Sequence, residues 1–432
     1  MTPSIVYDLS RLVTRVLNAT PNGIDRIDVL LARHFLIHGD FKALAVGLGF
    51  TGPRVLSRNA ALAAIERASA VWREDLVAHE GSPAYEVVVA RLLDASGGGA
   101  GVPPRIVASR PHRPLHIART IIRHLPPGAQ SPRRAAPRGA LYLNATHFPL
   151  EWKRHVAWLD ERPDVRPLFW IHDLLAVERP EWFWGREPAL HAQRLDLLAR
   201  RGAGAAVASR AVEDSLRDHL ARRGRPNLPI VRIAPPVAPI FAAPRHEDDR
   251  LVQTAFFIVC GTIEPRKNHL LLLRVWRQLV ARFGREAPKL LVIGKRGWNN
   301  GEIVSVLEDA ALRGHVIEVA GLPTPDYKRL LDHCRALLAP SLAEGFGLPV
   351  AEALRARAPV LASDIAPFRE QKGREISYLD PLSEADWREA IIAKAFDLGP
   401  PMSSESAAPM GAAMWGSAFF ASFDAFLRNL TA

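Results

Sequence analysis

Short apolar runs alternate with amphipathic segments from one end of this 432-residue chain to the other. Near the start, the apolar runs at 4–10 and 42–50 flank an amphipathic segment at 24–39. Later runs such as AFFIVCGTI, KLLVIGK and PVLASD are separated by helix-like stretches in the same way. Because parallel strands need a crossover helix between them, this alternation predicts an α/β fold with doubly wound parallel sheets. It argues against a β-sandwich or a helical bundle.

A composition break at residues 234–250 divides the alternating pattern. This stretch, APPVAPIFAAPRHEDDR, is rich in proline and charge and has no periodicity, which is typical of interdomain linkers. Since the chain is too long for one ordinary core, we predict two Rossmann-like domains that face a central cleft, at 1–235 and 251–410, with a linker at 236–250. The amphipathic segment at 411–432 is predicted to form a C-terminal helix that packs back across the junction.

Cysteine usage and hydropathy indicate a reducing compartment. Cys260 and Cys334 are the only cysteines, too few for a disulfide framework, and we interpret both as buried free thiols. The N-terminal stretch does not have the pattern of a cleavable signal peptide, and no apolar run is long enough to span a bilayer. We therefore expect a cytoplasmic location, with peripheral attachment at the inner face of the plasma membrane left open.

The formal net charge of +11 is unevenly distributed. A basic segment at 105–138 lies within a stretch without acidic residues, and its arginines are Arg105, Arg110, Arg113, Arg119, Arg123, Arg133, Arg134 and Arg138. Interleaved Ile and Leu suit contact with anionic lipid headgroups, and a solvated, partly disordered loop is the alternative. Nucleic-acid binding is disfavoured, because the segment lacks interleaved aromatic residues and no known binding module is present.

A first candidate site follows the apolar run that ends at Gly261. In GTIEPRKN, Arg266 and Lys267 directly precede a helix predicted to begin near Asn268. Ligands of open α/β sheets bind at the carboxyl ends of the strands, where free helix amides favour anions. Cations at a helix start oppose the helix dipole, so this pair favours a phosphate clamp over two solvated charges.

The stretch EGFGLPVAE at 344–352 has the same strand, loop and helix order. Gly345 and Gly347 allow close approach of a ligand to the backbone, and a helix that begins near Pro349 leaves the amides of Phe346, Gly347 and Leu348 as free donors. Glu344 lies before the helix, at the edge of the cleft. Glu352 lies in the first helical turns, where compensation of the helix dipole is an equally good explanation.

Together, GTIEPRKN, the E-x7-E spacing of Glu344 and Glu352 around GFGLP, and the downstream PVLASDIAPFRE resemble the retaining, nucleotide-sugar-dependent glycosyltransferases of the GT-B fold (glycosyl transferases group 1). The chain is most similar to their mannosyltransferase-like and rhamnosyltransferase-like members, which build bacterial surface polysaccharides. The resemblance is strong over about residues 255–372. It is weaker in the first half, where NGIDRI and WIHD occupy the positions of that family's donor-side and acceptor-side loops.

The resemblance implies a role for each site residue. It implies that Glu352 binds the ribose hydroxyls, that Glu344 and the loop from Gly345 to Leu348 hold the donor sugar, and that Arg266 and Lys267 stabilise the departing nucleoside diphosphate. Many relatives carry arginine where this chain has Thr262, so Arg266 is expected to take over part of that role. The family-implied catalytic residues are therefore Glu344, Lys267, Arg266 and His172, and the donor-binding residues are Gly23, Gly261, Gly345, Phe346, Gly347, Leu348 and Glu352.

Several of these residues have structural alternatives. His172 at a strand end is often a satisfied structural residue when no family resemblance is considered. Asp25, Arg26 and Asp28, which follow Gly23 at a helix start, are explained equally well as salt-bridged surface residues. Trp298 either lines the nucleotide pocket or packs as an ordinary loop tryptophan.

The resemblance implies a retaining transfer of a hexose, with mannose favoured, from a nucleoside diphosphate sugar, with GDP-sugar favoured over UDP-sugar. The acceptor would be a glycan or a lipid-linked saccharide. No D-x-D triad and no His/Cys spacing typical of a metal site occurs, so neither a metal nor a permanently bound cofactor is expected. The alternatives are a catalytically silent sugar-nucleotide-binding scaffold, or an epimerase or phosphorylase on the same fold.

Overall fold

The computed structural model describes residues 3–15, 20–38, 41–72, 81–94, 105–107, 129–373, 375–396 and 412–431, with only the backbone at 412–415. Most of the basic segment at 105–138, namely residues 108–128, lies outside the described residues. So does the glycine-rich stretch at 95–101.

Within the described residues, fourteen strands form two seven-stranded sheets. In chain order they are β1 (Ser4–Asp8), β2 (Lys42–Gly47), β3 (Arg54–Val55), β4 (Arg105–Val107), β5 (Leu141–Asn144), β6 (Arg166–Ile171), β7 (Gly204–Val207), β8 (Ile230–Arg232), β9 (Phe256–Cys260), β10 (Lys289–Ile293), β11 (Val316–Ala320), β12 (Ala336–Ala339), β13 (Val360–Ser363) and β14 (Ile376–Leu379). The first sheet has the order β3-β2-β1-β5-β6-β7-β8 and the second the order β14-β13-β12-β9-β10-β11-β4. Apart from the short antiparallel β3, all of these pairings are parallel.

The α-helices of the described residues cover both faces of these sheets. They are α1 (Ser10–Arg15), α2 (Gly23–Arg33), α3 (Arg58–Trp72), α4 (Pro83–Leu93), α5 (Pro132–Ala135), α6 (Lys153–Val156), α7 (Leu175–Glu178), α8 (Glu187–Arg201), α9 (Arg210–Ala221), α10 (His269–Phe283), α11 (Gly301–Leu307), α12 (Thr324–Leu331), α13 (Leu348–Arg355), α14 (Ala366–Arg369), α15 (Glu384–Phe396) and α16 (Ala412–Thr431). The predicted α/β class with two doubly wound domains is confirmed.

Strand β9 illustrates why the central strands read as continuous apolar runs. Phe256 and Ile258 pack into one core, whereas Phe257 and Val259 pack into the core on the opposite face of the sheet. A parallel sheet covered by helices on both faces buries every residue of such a strand, so the sequence shows no alternation of polar and apolar residues. The pattern therefore predicted the strand correctly, although it did not indicate which residue faces which helix.

One segment of the predicted first domain, 1–235, belongs structurally to the second. Tyr85, Val88 and Leu92 of α4 are buried in the core of the second domain, and β4 pairs with β11 at the edge of the second sheet. The chain therefore crosses to the second domain between β3 and β5. The physical reason is burial, since the apolar face of α4 packs in the second core, which residues downstream of the linker largely build.

The C-terminal helix α16 packs on the first domain, as predicted. Phe419, Phe423 and Leu427 are buried among the core residues of the first sheet. The His34 side chain forms a hydrogen bond to Asp424, with 2.7 Å between Nε2 and Oδ1. The end of the chain therefore fastens back onto the domain in which the chain began.

Both cysteines are free thiols, as predicted, although only Cys334 is fully buried and Cys260 is half-buried. Burial raises the pKa of the Cys260 thiol. Among the helices of the described residues, none combines the length and the apolarity needed to cross a membrane.

Candidate active site

Two loops meet at the carboxyl edge of the second sheet because the strands before them are neighbours. Strand β12 pairs in parallel with β9, with Leu338 opposite Val259. The Leu342 amide donates to the Arg266 carbonyl at 2.8 Å, and the Asn268 side chain donates to the Pro340 carbonyl at 3.1 Å. The two motifs that the sequence singled out therefore form one surface.

Glu344 is the centre of this surface. Arg266 Nη1 donates to Glu344 Oε2 at 2.9 Å, and Ser341 Oγ donates to Oε1 at 2.8 Å. Lys267 Nζ also donates to Oε1. The Glu344 side chain is only 7% exposed, so these contacts replace most of its hydration.

The charges of this cluster fix its protonation. Burial alone would raise the pKa of Glu344, but Lys267 and Arg266 outweigh that effect and lower the pKa to about 2. Burial would likewise lower the pKa of Arg266, but Glu344 and Glu264 raise it instead. At neutral pH the cluster therefore holds a carboxylate between two cations. Arg266 and Lys267 are unfavourably placed in the helix dipole, and the carboxylates of Glu344 and Glu264 compensate part of that cost.

The loop from Gly345 to Leu348 presents backbone donors. Gly347 precedes α13 with φ of 86° and no side-chain cap, a conformation that favours glycine. Among the described residues, the amides of Phe346, Gly347 and Leu348 have no hydrogen-bond acceptor in the protein. As predicted, this helix start offers unsatisfied donors of the kind that bind anionic or hydroxyl groups.

A small pocket lies between the two loops. It is lined by Val259, Cys260, Lys267, Leu338, Ala339, Pro340, Ser341, Glu344, Gly347, Pro349, Val350 and Phe368. Its walls therefore combine the predicted cation, carboxylate and glycine with the apolar ends of β9 and β12.

The first domain closes the opposite wall. A Cβ atom on Gly345 would collide with the His172 carbonyl oxygen, and one on Gly23 would lie 2.8 Å from Leu348 Cδ1. Ser209 Oγ donates to the Gly345 carbonyl at 2.6 Å. The predicted residues Gly23 and His172 thus face the predicted loop 345–348 across the cleft.

His172 is held as a neutral imidazole. Its Nε2 lies 2.8 Å from the Ala145 carbonyl oxygen, so Nε2 carries the proton and Nδ1 keeps its lone pair. Burial lowers the pKa of His172 to about 4. The ring centroid of His147 lies 5.3 Å from that of His172 and 5.2 Å from that of His191. His172 therefore presents a hydrogen-bond acceptor at neutral pH.

Glu352 is 3% exposed, and its Oε1 is paired with Nη1 of Arg26 from the first domain.

The alternative that Asp25 and Asp28 are surface residues is wrong, because they are 1% and 0% exposed. Asp25 instead caps α2 and accepts from Arg11 Nε at 2.8 Å.

Trp298 packs against residues of the first domain. Its ring stacks on Phe183 with 6.1 Å between centroids, and its indole N–H donates to the Trp182 carbonyl at 2.9 Å. Phe183 follows β6 in the first domain, whereas Trp298 follows β10 in the second. The tryptophan therefore joins the two domains at one side of the cleft.

Sequence reasoning missed Ser209 in this region. Ser209 carries no motif signal, because its contact with Gly345 depends on how the domains meet. Among the described residues, no group of three or more His, Cys, Asp or Glu side chains is placed to hold a metal ion.

Comparison with known proteins supports the same family. Residues 245–391 match the model of the family described as glycosyl transferases group 1. That span contains Arg266, Lys267, Glu344 and Glu352. The resemblance to this group is therefore confirmed for the second domain.

Two curated relatives and one solved structure extend the comparison. O-antigen chain mannosyltransferase B of Escherichia coli is 28% identical over 172 residues, covering 37% of this chain and 45% of that protein. The serotype-specific mannosyltransferase WbdA of Escherichia coli is 27% identical over 248 residues, covering 52% of this chain and 29% of that protein. The chain thus spans less than half the length of these relatives.

The crystal structure of Anabaena HepE in complex with UDP-glucose superimposes with a TM-score of 0.56 at 13% identity, covering 99% of this chain and 98% of that one. At this identity the likeness concerns the fold alone. Since the matched structure extends over both domains, the predicted GT-B architecture is confirmed.

Proposed function

We propose that this protein is a retaining, metal-independent glycosyltransferase that moves a hexose from a nucleoside diphosphate sugar to a hydroxyl of a glycan or lipid-linked saccharide. The observation that carries the proposal is the convergence of Arg266, Lys267 and Glu344 beside the free amides of 346–348. Two cations, one carboxylate and a helix start provide what a sugar diphosphate needs: charge compensation for its phosphates and an acceptor for its hydroxyls.

In this proposal the leaving group is stabilised by protein groups alone. The bond between the anomeric carbon and the diphosphate oxygen breaks, and its electron pair stays on that oxygen. Arg266, Lys267 and the amides of the loop at 346–348 stabilise the charge that develops there. Transition-state stabilisation by preorganised donors of this kind typically contributes about 10²–10³-fold per donor group.

The acceptor hydroxyl attacks the anomeric carbon from the face that the diphosphate leaves, which retains the configuration. Its proton passes to an oxygen of the departing diphosphate, so atoms and charge balance without a base from the protein. Glu344 orients the sugar hydroxyls and forms no covalent intermediate. The neutral His172 accepts a hydrogen bond at Nδ1 from the sugar or from the acceptor across the cleft.

The names of the curated relatives support mannose as the sugar and surface polysaccharide as the product. We propose a GDP-sugar as the preferred donor. A panel of GDP- and UDP-sugars tests this choice by thermal shift, because a ligand that binds only the folded state raises the melting temperature. GDP-mannose is expected to give the largest shift. No shift with any nucleotide sugar would contradict the proposed function.

The stereochemistry and metal requirement are tested on the product. Proton NMR of the first product formed should show the anomeric configuration of the donor, and the rate should be unchanged by EDTA. An inverted product or loss of turnover with EDTA would overturn those parts of the proposal. Nucleotide-sugar binding without hydrolysis or transfer to any glycan acceptor would favour a silent binding protein.

We further propose that the protein works at an anionic membrane surface on the cytoplasmic side. In the described part of the basic segment, Arg105 pairs with Glu318 at 3.0 Å and Arg133 with Glu161 at 2.7 Å. These two charges are thereby partly neutralised, so the remaining arginines of the segment would provide the attraction. Co-sedimentation with anionic but not neutral vesicles, lost at high salt, tests this contact.

A further inference from the structure

We propose that Arg26 is a positioning residue of the donor site, which crosses from the first domain to hold the Glu352 carboxylate for the ribose hydroxyls and so couples nucleotide binding to domain closure. The inference rests on the proposed function and on the role that the family resemblance implies for Glu352, which is to bind the ribose of the donor. It assigns a role to a residue of the opposite domain that does not contact the reacting atoms.

Three contacts of the Arg26 guanidinium reach out of its own domain. Nη1 pairs with Glu352 Oε1, and Nη2 donates to Thr324 Oγ1 at 3.3 Å. The guanidinium carbon lies 5.7 Å from the centroid of the Phe241 ring, a cation–π contact. Arg26 therefore reaches α13, α12 and the linker with one side chain.

Local contacts at the start of α2 fix the direction of the Arg26 side chain. Asn22 and Asp25 form a capping box, in which each side chain accepts a hydrogen bond at 3.0 Å from the backbone amide of the other. Asp25 also accepts from Arg11 Nε at 2.8 Å, which ties α2 to α1. On the other side of α2, Ile27 and Leu31 are buried in the core. With the helix fixed in this way, Arg26 projects from a rigid element.

The carboxylate of Glu352 depends on this partner. It is 3% exposed, and a buried carboxylate without a cation is costly. Arg26 engages Oε1 of this carboxylate, and in the proposal the carboxylate so held accepts hydrogen bonds from the hydroxyls of a ribose. Removal of Arg26 should therefore leave the Glu352 carboxylate less well oriented.

The contact also links two events. Arg26 and Glu352 belong to different domains, so their pairing forms only when the cleft is closed. In the proposal, the ribose binds more tightly to Glu352 when Arg26 holds it, so domain closure strengthens nucleotide binding. By thermodynamic linkage, nucleotide binding then stabilises the closed form by the same free energy. A residue distant from the chemistry thus contributes to donor affinity.

The test compares Arg26→Gln and Arg26→Lys with Arg33→Gln, a control on the same helix whose guanidinium donates to Ser69. Calorimetry measures Kd for GDP and UDP, and small-angle scattering measures compaction with nucleotide. For the nucleotide that the wild type binds, Arg26→Gln should raise Kd about tenfold or more and remove the compaction. Arg26→Lys should fall between, and Arg33→Gln should match the wild type. Unchanged Kd and compaction in Arg26→Gln, or tighter binding, would overturn the inference.

A ribose analogue tests whether Arg26 acts by positioning Glu352, rather than by binding the phosphates directly or by maintaining the structure in general. The 2′,3′-dideoxy form of the same nucleotide should bind wild type and Arg26→Gln equally, because the contact that Arg26 supports is absent. Arg26→Gln combined with Glu352→Gln should be no worse than Glu352→Gln alone. Additive losses would overturn the inference while leaving the proposed function intact. A wild type that binds no nucleotide would overturn both.

Discussion

The guanidinium of Arg266 lies 2.9 Å from the carboxylate of Glu344, 78 positions further along the chain. The two residues follow β9 and β12, which are neighbours in the second sheet. With Lys267 on the same carboxylate, this contact joins the proposed phosphate-binding and sugar-binding groups of the donor site.

Glu344→Gln should lower the transfer rate by about 10²-fold or more, because the amide keeps the shape but removes the negative charge that orders Lys267 and Arg266. The free energy of unfolding should fall by about 1.5–3 kcal/mol, as expected for loss of a charged hydrogen bond. Initial rates and urea unfolding measure the two effects. Glu302→Gln, at an exposed position, is the matched control. A variant with wild-type turnover would remove Glu344 from the site.

Gly345→Ala should prevent the two domains from meeting as they do here, because the added Cβ would collide with the His172 carbonyl oxygen. Transfer should fall to background, while the second domain retains its fold by circular dichroism. Gly301→Ala is the control, since a Cβ there meets nothing within 4 Å. Full activity of Gly345→Ala would mean that this loop does not face the first domain during turnover.

Ser209→Ala should raise the KM for the donor more than it lowers kcat, because Ser209 Oγ donates to the Gly345 carbonyl at 2.6 Å and so supports the sugar-binding loop. The variant also loses the N-cap of α9, which typically costs about 1 kcal/mol. Ser131→Ala removes the cap of α5 and serves as the control for capping alone. An equal change in KM in both variants would contradict the proposed support.

Stability should fall as the pH drops from about 6.5 towards 4. Burial lowers the pKa of His172 to about 4 and that of His269 to about 3, from 6.5. In this window the unfolded chain binds more protons than the native protein, so protonation favours unfolding. Glu344, with its pKa lowered to about 2, adds a further loss only below about pH 4.5.

Urea unfolding at pH 7.5, 6.0 and 5.0 measures this slope. The midpoint should decrease at each step, and His269→Gln should flatten the curve, because His269 is buried with no hydrogen-bond partner among the described residues. A midpoint that is constant down to pH 5 would argue against neutral buried histidines.

The second domain was predictable because its signals are local. Each motif follows an apolar strand and precedes an amphipathic helix, so the carboxyl-edge rule placed Lys267 and Glu344 on one surface without any knowledge of strand order. The two loops touch because β9 and β12 are adjacent, which the sequence did not reveal.

The contacts between domains were not predictable. Arg26 lies in a motif that the sequence singled out, but nothing in the sequence indicated that it pairs with Glu352. The position of Glu352 near the start of α13 was explained equally well by compensation of the helix dipole. The crossing of α4 and β4 to the second domain was missed for a related reason. Tyr85 and its apolar neighbours indicate a buried helix, but sequence periodicity does not say which core buries it.

The most direct test of the central claim is the rate of nucleoside diphosphate release from the best-bound nucleotide sugar, with and without a glycan acceptor, in wild type and Lys267→Ala. Lys42→Ala, an exposed position at the start of β2, is the control. The wild type and the control should release diphosphate at equal rates, and Lys267→Ala should lose at least about 10²-fold while still folded. Equal release by Lys267→Ala and the wild type would contradict the assignment of this cluster as the donor site.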